Sequence, residues 1–335
     1  MGPFDVKLSP HEQSLIERVE CRLGADDLAG LTAEELQTMG HRDGIDFATV
    51  LLYEYVRKSM IHGDFIRRVE SQPRICDRSL DLGARLVIVP GAFYREFPQS
   101  GADGRLLQQT ARDLGMPIDV IPVNSFGLPA ENAAIVSDWL QRHDEEPIVL
   151  VSLSKGSLDL KTALARPDAA RLFRRVKAWI SLSGIIFGTP IVRWVLSSSL
   201  RAWWYRFLLS LRGYDFRVVH ELNYGARAPL ISEMRLPQHM QLIHVIGFSL
   251  ECHLSSLLAR RAYRRIQHLG PNDGGGILLA DVLRLPGMIF FVWGADHYLR
   301  PSGRDMQHLM RSILHSLSGL PTATECQAVG SGAET

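Results

Sequence analysis

The stretch PIVLVSLSKGS at residues 147–157 decides the fold of this chain. Its apolar first half, residues 148–151, predicts a short buried strand, and residues 158–166 predict a helix. A serine on a tight turn between a strand and a helix, with small residues two positions before and after it, has the layout of a nucleophile elbow. Such a turn would hold the hydroxyl of Ser154 clear of the backbone. Because a serine before a helix is also a common N-cap, both interpretations of Ser154 stay open at this point.

Strand-like and helix-like segments alternate on both sides of this turn. Apolar runs of strand length lie at residues 85–90, 118–123, 148–152, 178–182, 242–246 and 288–292. Helical patterns lie between several of them, at residues 106–114, 131–143 and 169–175. Strands that alternate with helices form a parallel sheet covered on both faces. We therefore predict an α/β fold of about six mostly parallel strands, with the active site at their carboxyl ends.

Other segments flank or interrupt this alternation and indicate the domain organisation. Residues 1–80 carry helical patterns and no strand pattern, which predicts a helical N-terminal extension. Residues 81–317 form the α/β domain, interrupted at about 185–238 by an insertion rich in tryptophan and leucine. We interpret this insertion as an apolar cap over a substrate pocket, and helices packed over the sheet edge are the alternative. Residues 318–335 are predicted to be a flexible tail.

Composition and charge argue against several classes of protein. The 335 residues carry a net charge of +1, too balanced for the basic face that nucleic-acid binding needs. No uninterrupted apolar stretch reaches the roughly 18 residues that suggest a membrane span. The four cysteines are scattered, without the spacing of a disulfide framework or a zinc site, and no motif predicts a cofactor. The N-terminus lacks the pattern of a secretory signal, so we predict a cytoplasmic protein.

A nucleophilic serine needs a histidine as base and a carboxylate that orients this histidine. In a fold of this kind the acid and then the histidine follow the nucleophile along the chain. His297 comes directly after the last predicted strand, at the sheet edge where Ser154 also lies, and is the candidate base. For the acid, Asp273 in an Asn-Asp-Gly loop ranks first, before Glu251 and then Asp296. The same loop sequence is sufficient for a plain turn.

The oxyanion of a tetrahedral intermediate is expected to be held by backbone N–H groups. The candidates are Lys155, which follows the nucleophile, and Ala92 or Phe93, which follow the first predicted strand. Gly91 would let this loop approach a substrate closely. We expect the side chain of Lys155 to be solvated or at the rim of the site rather than catalytic.

Four short motifs resemble those of the α/β-hydrolase superfamily, and more narrowly those of bacterial lipase-like and esterase-like hydrolases with a Ser-Lys-Gly elbow. Besides the elbow they are PGAF at 90–93, NDG at 272–274 and DHY at 296–298. The resemblance covers about residues 80–315 and implies the α/β-hydrolase fold, with Ser154, Asp273 and His297 as a catalytic triad. It implies a serine hydrolase, and the apolar insertion favours an ester or thioester with an apolar acyl group as substrate. An acyltransferase on the same triad and a non-catalytic binding protein of this fold are the alternatives.

Overall fold

The computed structural model describes residues 8–22, 30–72, 82–143, 145–224, 236–300 and 306–317. Its strands are β1 (Arg85–Val89), β2 (Ile118–Val120), β3 (Ile148–Leu153), β4 (Val176–Leu182), β5 (Gln241–Phe248) and β6 (Met288–Trp293). They form one sheet in the order β2-β1-β3-β4-β5-β6, and all neighbours are parallel. The predicted α/β fold with six parallel strands is confirmed. The flexible tail predicted for residues 318–335 lies outside the described residues.

The helices lie before, between and after these strands. They are α1 (Pro10–Arg22), α2 (Ala33–Asp43), α3 (Ile45–Lys58), α4 (Met60–Glu70), α5 (Arg105–Asp113), α6 (Pro129–Arg142), α7 (Lys155–Leu164), α8 (Ala169–Leu172), α9 (Pro190–Leu196), α10 (Ser199–Ser210), α11 (Arg217–Glu221), α12 (Leu257–Ile266) and α13 (Met306–Ser316). Short 3-10 turns occupy Pro98–Ser100, Glu251–His253, Gln267–Leu269 and Leu279–Arg284. Over the ranges described, no helix combines the length and apolar character needed to cross a bilayer.

The core has two layers, one on each face of the sheet, because successive side chains of each strand point to opposite faces. In β1, Leu86 and Ile88 belong to a cluster with residues of α3, α4, α5 and α13. Val87 and Val89 belong to a second cluster with residues of α6, α7 and α8. Successive side chains of a strand point to opposite faces, so both faces of a sheet covered by helices must be apolar. This explains the continuous apolar runs that predicted the strands.

The helices before β1 share a core with the sheet. The Tyr53 ring of α3 packs edge-on against Trp293 of β6, with ring centroids 5.0 Å apart, and lies 5.5 Å from the ring of Phe248. The indole N–H of Trp293 donates to the buried carboxylate of Glu12 in α1, at 2.8 Å. The described helices of the predicted N-terminal extension are thus part of one of the two layers. Residues 1–7, 23–29 and 73–80 of this extension lie outside the described residues.

Three helices of the predicted cap, α9 to α11, lie between β4 and β5 along the chain. Their inward side chains form a third apolar cluster, which includes Val192, Leu209 and Val219. The same cluster contains Phe126, from the loop after β2, and Leu158 from α7. Because these partners follow the carboxyl ends of strands, the described part of the insertion covers that edge of the sheet. Residues 225–235 lie outside the described range.

Candidate active site

Ser154 lies on a strained turn between β3 and α7. Its φ of 47° and ψ of −111° lie outside the conformations that L-residues ordinarily adopt. The helix begins directly after it, at Lys155, three residues earlier than the sequence pattern predicts. Gly156 must lack a side chain, since a Cβ there would lie 2.5 Å from the carbonyl oxygen of Val89. The strand-turn-helix layout of a nucleophile elbow is therefore present at the predicted serine.

Ser152 occupies the position where an elbow usually has its first glycine. Its hydroxyl accepts a hydrogen bond from the indole N–H of Trp179 at 2.7 Å and lies 2.7 Å from the hydroxyl of Ser157. Ser157 in turn lies 2.9 Å from the hydroxyl of Ser181. The elbow accepts the larger residue because this buried hydroxyl is fully engaged, linking β3, β4 and α7 under the turn.

The side chains of Ser154, His297 and Asp273 form one hydrogen-bonded chain. The Oγ of Ser154 lies 2.9 Å from Nε2 of His297. Nδ1 of the same imidazole lies 2.5 Å from Oδ2 of Asp273. His297 follows β6 and Asp273 follows α12, so three distant segments of the chain converge at the carboxyl edge of the sheet. This is the order and geometry of a nucleophile, a base and an orienting acid.

The loop that carries Asp273 holds its carboxylate in place. The other oxygen, Oδ1, accepts backbone N–H groups from Gly275, Gly276 and Ile277 at 3.0, 2.9 and 2.9 Å. A Cβ on Gly275 would lie 2.2 Å from the Cβ of His297, so only glycine lets the imidazole approach this closely. The loop is therefore a turn, as its sequence predicts, and also a rigid mount for a buried acid.

Electrostatics in the pair favour a proton on the imidazole. Burial by itself would raise the pKa of Asp273, but the charge and hydrogen bond of His297, together with the backbone N–H groups, hold this pKa below its ordinary value. Burial would lower the pKa of His297, but the adjacent Asp273 outweighs it and raises the pKa above the ordinary 6.5. The arrangement therefore stabilises the imidazolium that forms when the histidine takes a proton.

The two other candidate acids have partners elsewhere. Glu251 binds the guanidinium of Arg264, with its Oε1 2.6 Å from Nε. Asp296 turns its carboxylate into its own loop, where Oδ1 accepts the backbone N–H groups of Tyr298 and Arg300 at 2.9 and 3.0 Å. The structure therefore brings Asp273 to the imidazole and leaves Glu251 and Asp296 in structural contacts.

Two of the three candidate oxyanion donors have N–H groups without a hydrogen-bond acceptor in the described part of the chain. Ala92 and Phe93 are the two candidates in the loop after β1. The N–H of Phe93 donates to the carbonyl oxygen of Ser125 at 2.9 Å, so this group is already hydrogen-bonded and leaves Ala92 as the candidate. Among the described residues, no hydrogen bond uses the N–H of Ala92 or Lys155, and both residues line the cavity above Ser154.

The expectation of a solvated or rim position for the Lys155 side chain is wrong. Its ammonium is buried and donates to both carboxylate oxygens of Asp159, at 2.7 and 3.0 Å. Asp159 lies one helical turn further along α7, so the pair meets on one face of the helix. Asn132 of α6 donates to the same carboxylate at 2.8 Å, and its Oδ1 accepts the backbone N–H of Asn124 at 2.9 Å. The Lys155 side chain thus lies in a buried polar network that links α7 to α6 next to the elbow, and it does not face solvent.

A cavity of about 350 Å³ opens above Ser154 and His297. The predicted cap contributes eight of its lining residues, Ile185, Thr189, Val192, Val195, Tyr205, Leu209, Val219 and Leu222. Further apolar side chains come from the loops after β1 and β2 (Ala92, Phe93 and Phe126) and from the last residues of β3 and β4 (Leu153 and Leu182). In the described part of the chain, no carboxylate or guanidinium lines the cavity, and no group of three or more His, Cys, Asp or Glu could hold a metal ion.

The fold of this chain is similar to that of two enzymes of known structure, a carboxyl esterase and a lipase. A metagenomic carboxyl esterase is 21% identical, with a TM-score of 0.54 over 79% of this chain and 80% of its own. The mature lipase BlEst2 of Bacillus licheniformis is 17% identical, with a TM-score of 0.52 over 73% of this chain and 99% of its own. No protein-family model matches the sequence, and no curated protein matches it. The fold of this chain is the α/β-hydrolase fold that its motifs predict.

Proposed function

We propose that this protein is a serine hydrolase that cleaves carboxylic esters or thioesters of apolar acyl groups. The observation that carries the proposal is the hydrogen-bonded chain from Ser154 through His297 to Asp273 at the floor of an apolar cavity. A hydroxyl bonded to a base that a buried carboxylate orients can lose its proton as it attacks a carbonyl carbon. The two structurally similar enzymes are named as a carboxyl esterase and a lipase, and both names indicate cleavage of ester bonds.

The first half-reaction would form an acyl-enzyme. Oγ of Ser154 attacks the carbonyl carbon while Nε2 of His297 takes the hydroxyl proton, and Asp273 stabilises the resulting imidazolium. The backbone N–H groups of Lys155 and Ala92 hold the negative oxygen of the tetrahedral intermediate. The intermediate collapses, the alcohol or thiol leaves with the proton from the imidazolium, and the acyl group stays on the serine.

The second half-reaction would release the acid. Water attacks the acyl carbon and gives a proton to His297, and collapse of the second intermediate returns this proton to Ser154. Among the described lining residues, most side chains are apolar and none is an arginine that could bind a carboxylate or phosphate, and the ammonium of Lys155 is already paired with Asp159. The substrate class is therefore a neutral acyl group of a size that a cavity of about 350 Å³ can hold.

Two alternatives share the same fold. An acyltransferase would form the same acyl-enzyme and pass the acyl group to an alcohol or amine instead of water. A non-catalytic protein would bind a ligand in the cavity without turnover. A cytoplasmic location stays a prediction under each of them.

Turnover of p-nitrophenyl esters and acyl thioesters of increasing chain length tests the proposal. Ser154→Ala should lower kcat at least about a thousandfold, because the nucleophile is lost. Ser183→Ala is the matched control, since this serine lies in the wall of the same cavity, and should stay within about tenfold of wild type. Equal turnover by the wild type and Ser154→Ala would contradict the proposal. Release of the free acid in water, or a new ester when an alcohol is added, separates hydrolysis from acyl transfer.

A further inference from the structure

Helix α10 of the cap has two apolar faces, and one of them is directed to solvent. The inner face places Tyr205 and Leu209 in the wall of the cavity. The outer face is a stripe with the i, i+3, i+4, i+7 spacing of a helix, continued just past the end of α10, formed by Leu200, Trp203, Trp204, Phe207 and Leu211. Trp203 is 60% exposed and Leu200 is 76% exposed. A contiguous exposed stripe of this kind indicates an interaction surface.

The aromatic residues of the outer stripe pack against one another. The rings of Trp203 and Phe207 are stacked with centroids 5.9 Å apart, and the ring of Trp204 lies 5.8 Å from that of Phe207. The two indoles are 6.4 Å apart. The surface is therefore an ordered aromatic patch rather than three independent side chains.

The charged residues of the segment that carries the stripe all have one sign. Residues 184–213 contain four arginines and no aspartate or glutamate, namely Arg193, Arg201, Arg206 and Arg212. At 100° per residue, Arg201 and Arg206 flank the apolar stripe on its two sides. Within the described residues, none of these four arginines forms an ion pair with a carboxylate of the chain. Arg201 lies over the ring of Trp194 and Arg206 over the ring of Phe216, contacts that leave the positive charge without a carboxylate of the described chain to neutralise it.

Exposed tryptophan, leucine and phenylalanine between unpaired arginines fit the interface of an anionic bilayer, where aromatic rings enter the headgroup region and arginines meet lipid phosphates. A second copy of the chain fits less well, because a symmetric contact would bring four arginines against four others. We propose that the outer face of α10 binds the surface of a membrane that contains anionic phospholipid. This docking is separate from ester cleavage and does not require it.

Vesicle co-sedimentation tests the proposal on the full chain carrying Ser154→Ala, so that no lipid is cleaved. The protein should bind vesicles of phosphatidylcholine mixed with phosphatidylglycerol more tightly than vesicles of phosphatidylcholine alone, and high salt should weaken this binding. The pair Arg206→Gln and Arg212→Gln should weaken it about thirtyfold. The pair Trp203→Ala and Trp204→Ala should weaken it by at least about tenfold.

Matched controls lie far from the cap in sequence. Met60→Ala removes a still more exposed apolar side chain from α4, and Arg112→Gln removes an exposed charge from α5. Both should leave vesicle binding unchanged. Equal binding to both kinds of vesicle, or binding that neither α10 pair weakens, would overturn the proposal. A dimer in the absence of lipid that the tryptophan pair dissociates would assign the face to a second copy and also overturn it. If the tryptophan pair lowers the melting temperature, its vesicle binding is not interpreted. The arginine pair then tests the proposal, because Arg206 and Arg212 are exposed on the surface.

Discussion

Replacement of Asp273 by asparagine probes the assignment of the acid most closely. Oδ1 of this residue accepts three backbone N–H groups, and an amide oxygen can take over these bonds. The amide NH2 would then lie where Oδ2 now meets Nδ1 of His297, at 2.5 Å. Since an NH2 group only donates, Nδ1 would have to accept, and the imidazole proton would move to Nε2. A protonated Nε2 faces Ser154 and cannot take its proton.

The magnitude follows from the loss of the correct tautomer and of the charge that stabilises the imidazolium. In the Ser-His-Asp template, this change lowers kcat about ten-thousandfold. That corresponds to about 5.4 kcal/mol of transition-state stabilisation. The fold should persist, because side-chain volume and the three backbone bonds are kept, so the melting temperature should change little.

Steady-state turnover of an activated ester, together with thermal unfolding, measures both effects. Glu251→Gln is the matched control, because Glu251 binds Arg264 instead of the imidazole, and its kcat should stay within about tenfold of wild type. The reasoning is refuted if Asp273→Asn keeps more than about a tenth of wild-type kcat. It is equally refuted if Glu251→Gln is the more damaging change.

Three further predictions rest on the same geometry. The kcat/KM should rise with pH as His297 loses its proton. The midpoint should lie above pH 6.5, because Asp273 raises the pKa of the imidazole, and a midpoint below 6.5 would contradict this. Gly275→Ala should lower kcat at least about a hundredfold, because the new Cβ would displace His297. Gly276→Ala should lower kcat less, since the new Cβ would lie 3.3 Å from its nearest neighbour, Oγ1 of Thr189. Equal losses of kcat in the two variants would contradict this. Lys155→Met should reduce the free energy of unfolding by about 3–5 kcal/mol by leaving the Asp159 carboxylate buried without a cation. Adding Asp159→Leu should restore most of that loss in denaturant titrations, and no recovery would count against a buried ion pair.

Local patterns were sufficient to predict the sheet and to place Ser154 and His297 at one edge of it, but they left Asp273, Glu251 and Asp296 open as the acid. Each strand is an apolar run whose two faces are both covered, so its position is visible without knowledge of its partners. Ser154 follows β3 and His297 follows β6, and the carboxyl ends of parallel strands meet at one edge. The loop after α12 brings Asp273 to the same edge. Topology therefore brings together residues that are 24 to 143 positions apart.

Contacts between segments explain what the sequence could not predict. The i, i+4 spacing of Lys155 and Asp159 is visible in the sequence, but Asn132 of another helix, which donates to the Asp159 carboxylate and helps to bury the pair, is not. The Phe93 amide is engaged by the carbonyl of Ser125, a bond between two loops that no local pattern encodes. The apolar periodicity of α3 is visible in the sequence, but its partner, the face of the sheet with Trp293, is not.

Identification of the residue modified by a fluorophosphonate probe tests the central claim most directly. The wild-type chain should gain one phosphonyl group, and peptide mass spectrometry should locate it on Ser154, because the hydroxyl bonded to His297 is the activated nucleophile. Ser154→Ala should remain unlabelled, while Ser183→Ala should be labelled as the wild type is. Equal labelling of the wild type and Ser154→Ala, or an adduct on a different residue, would contradict the account.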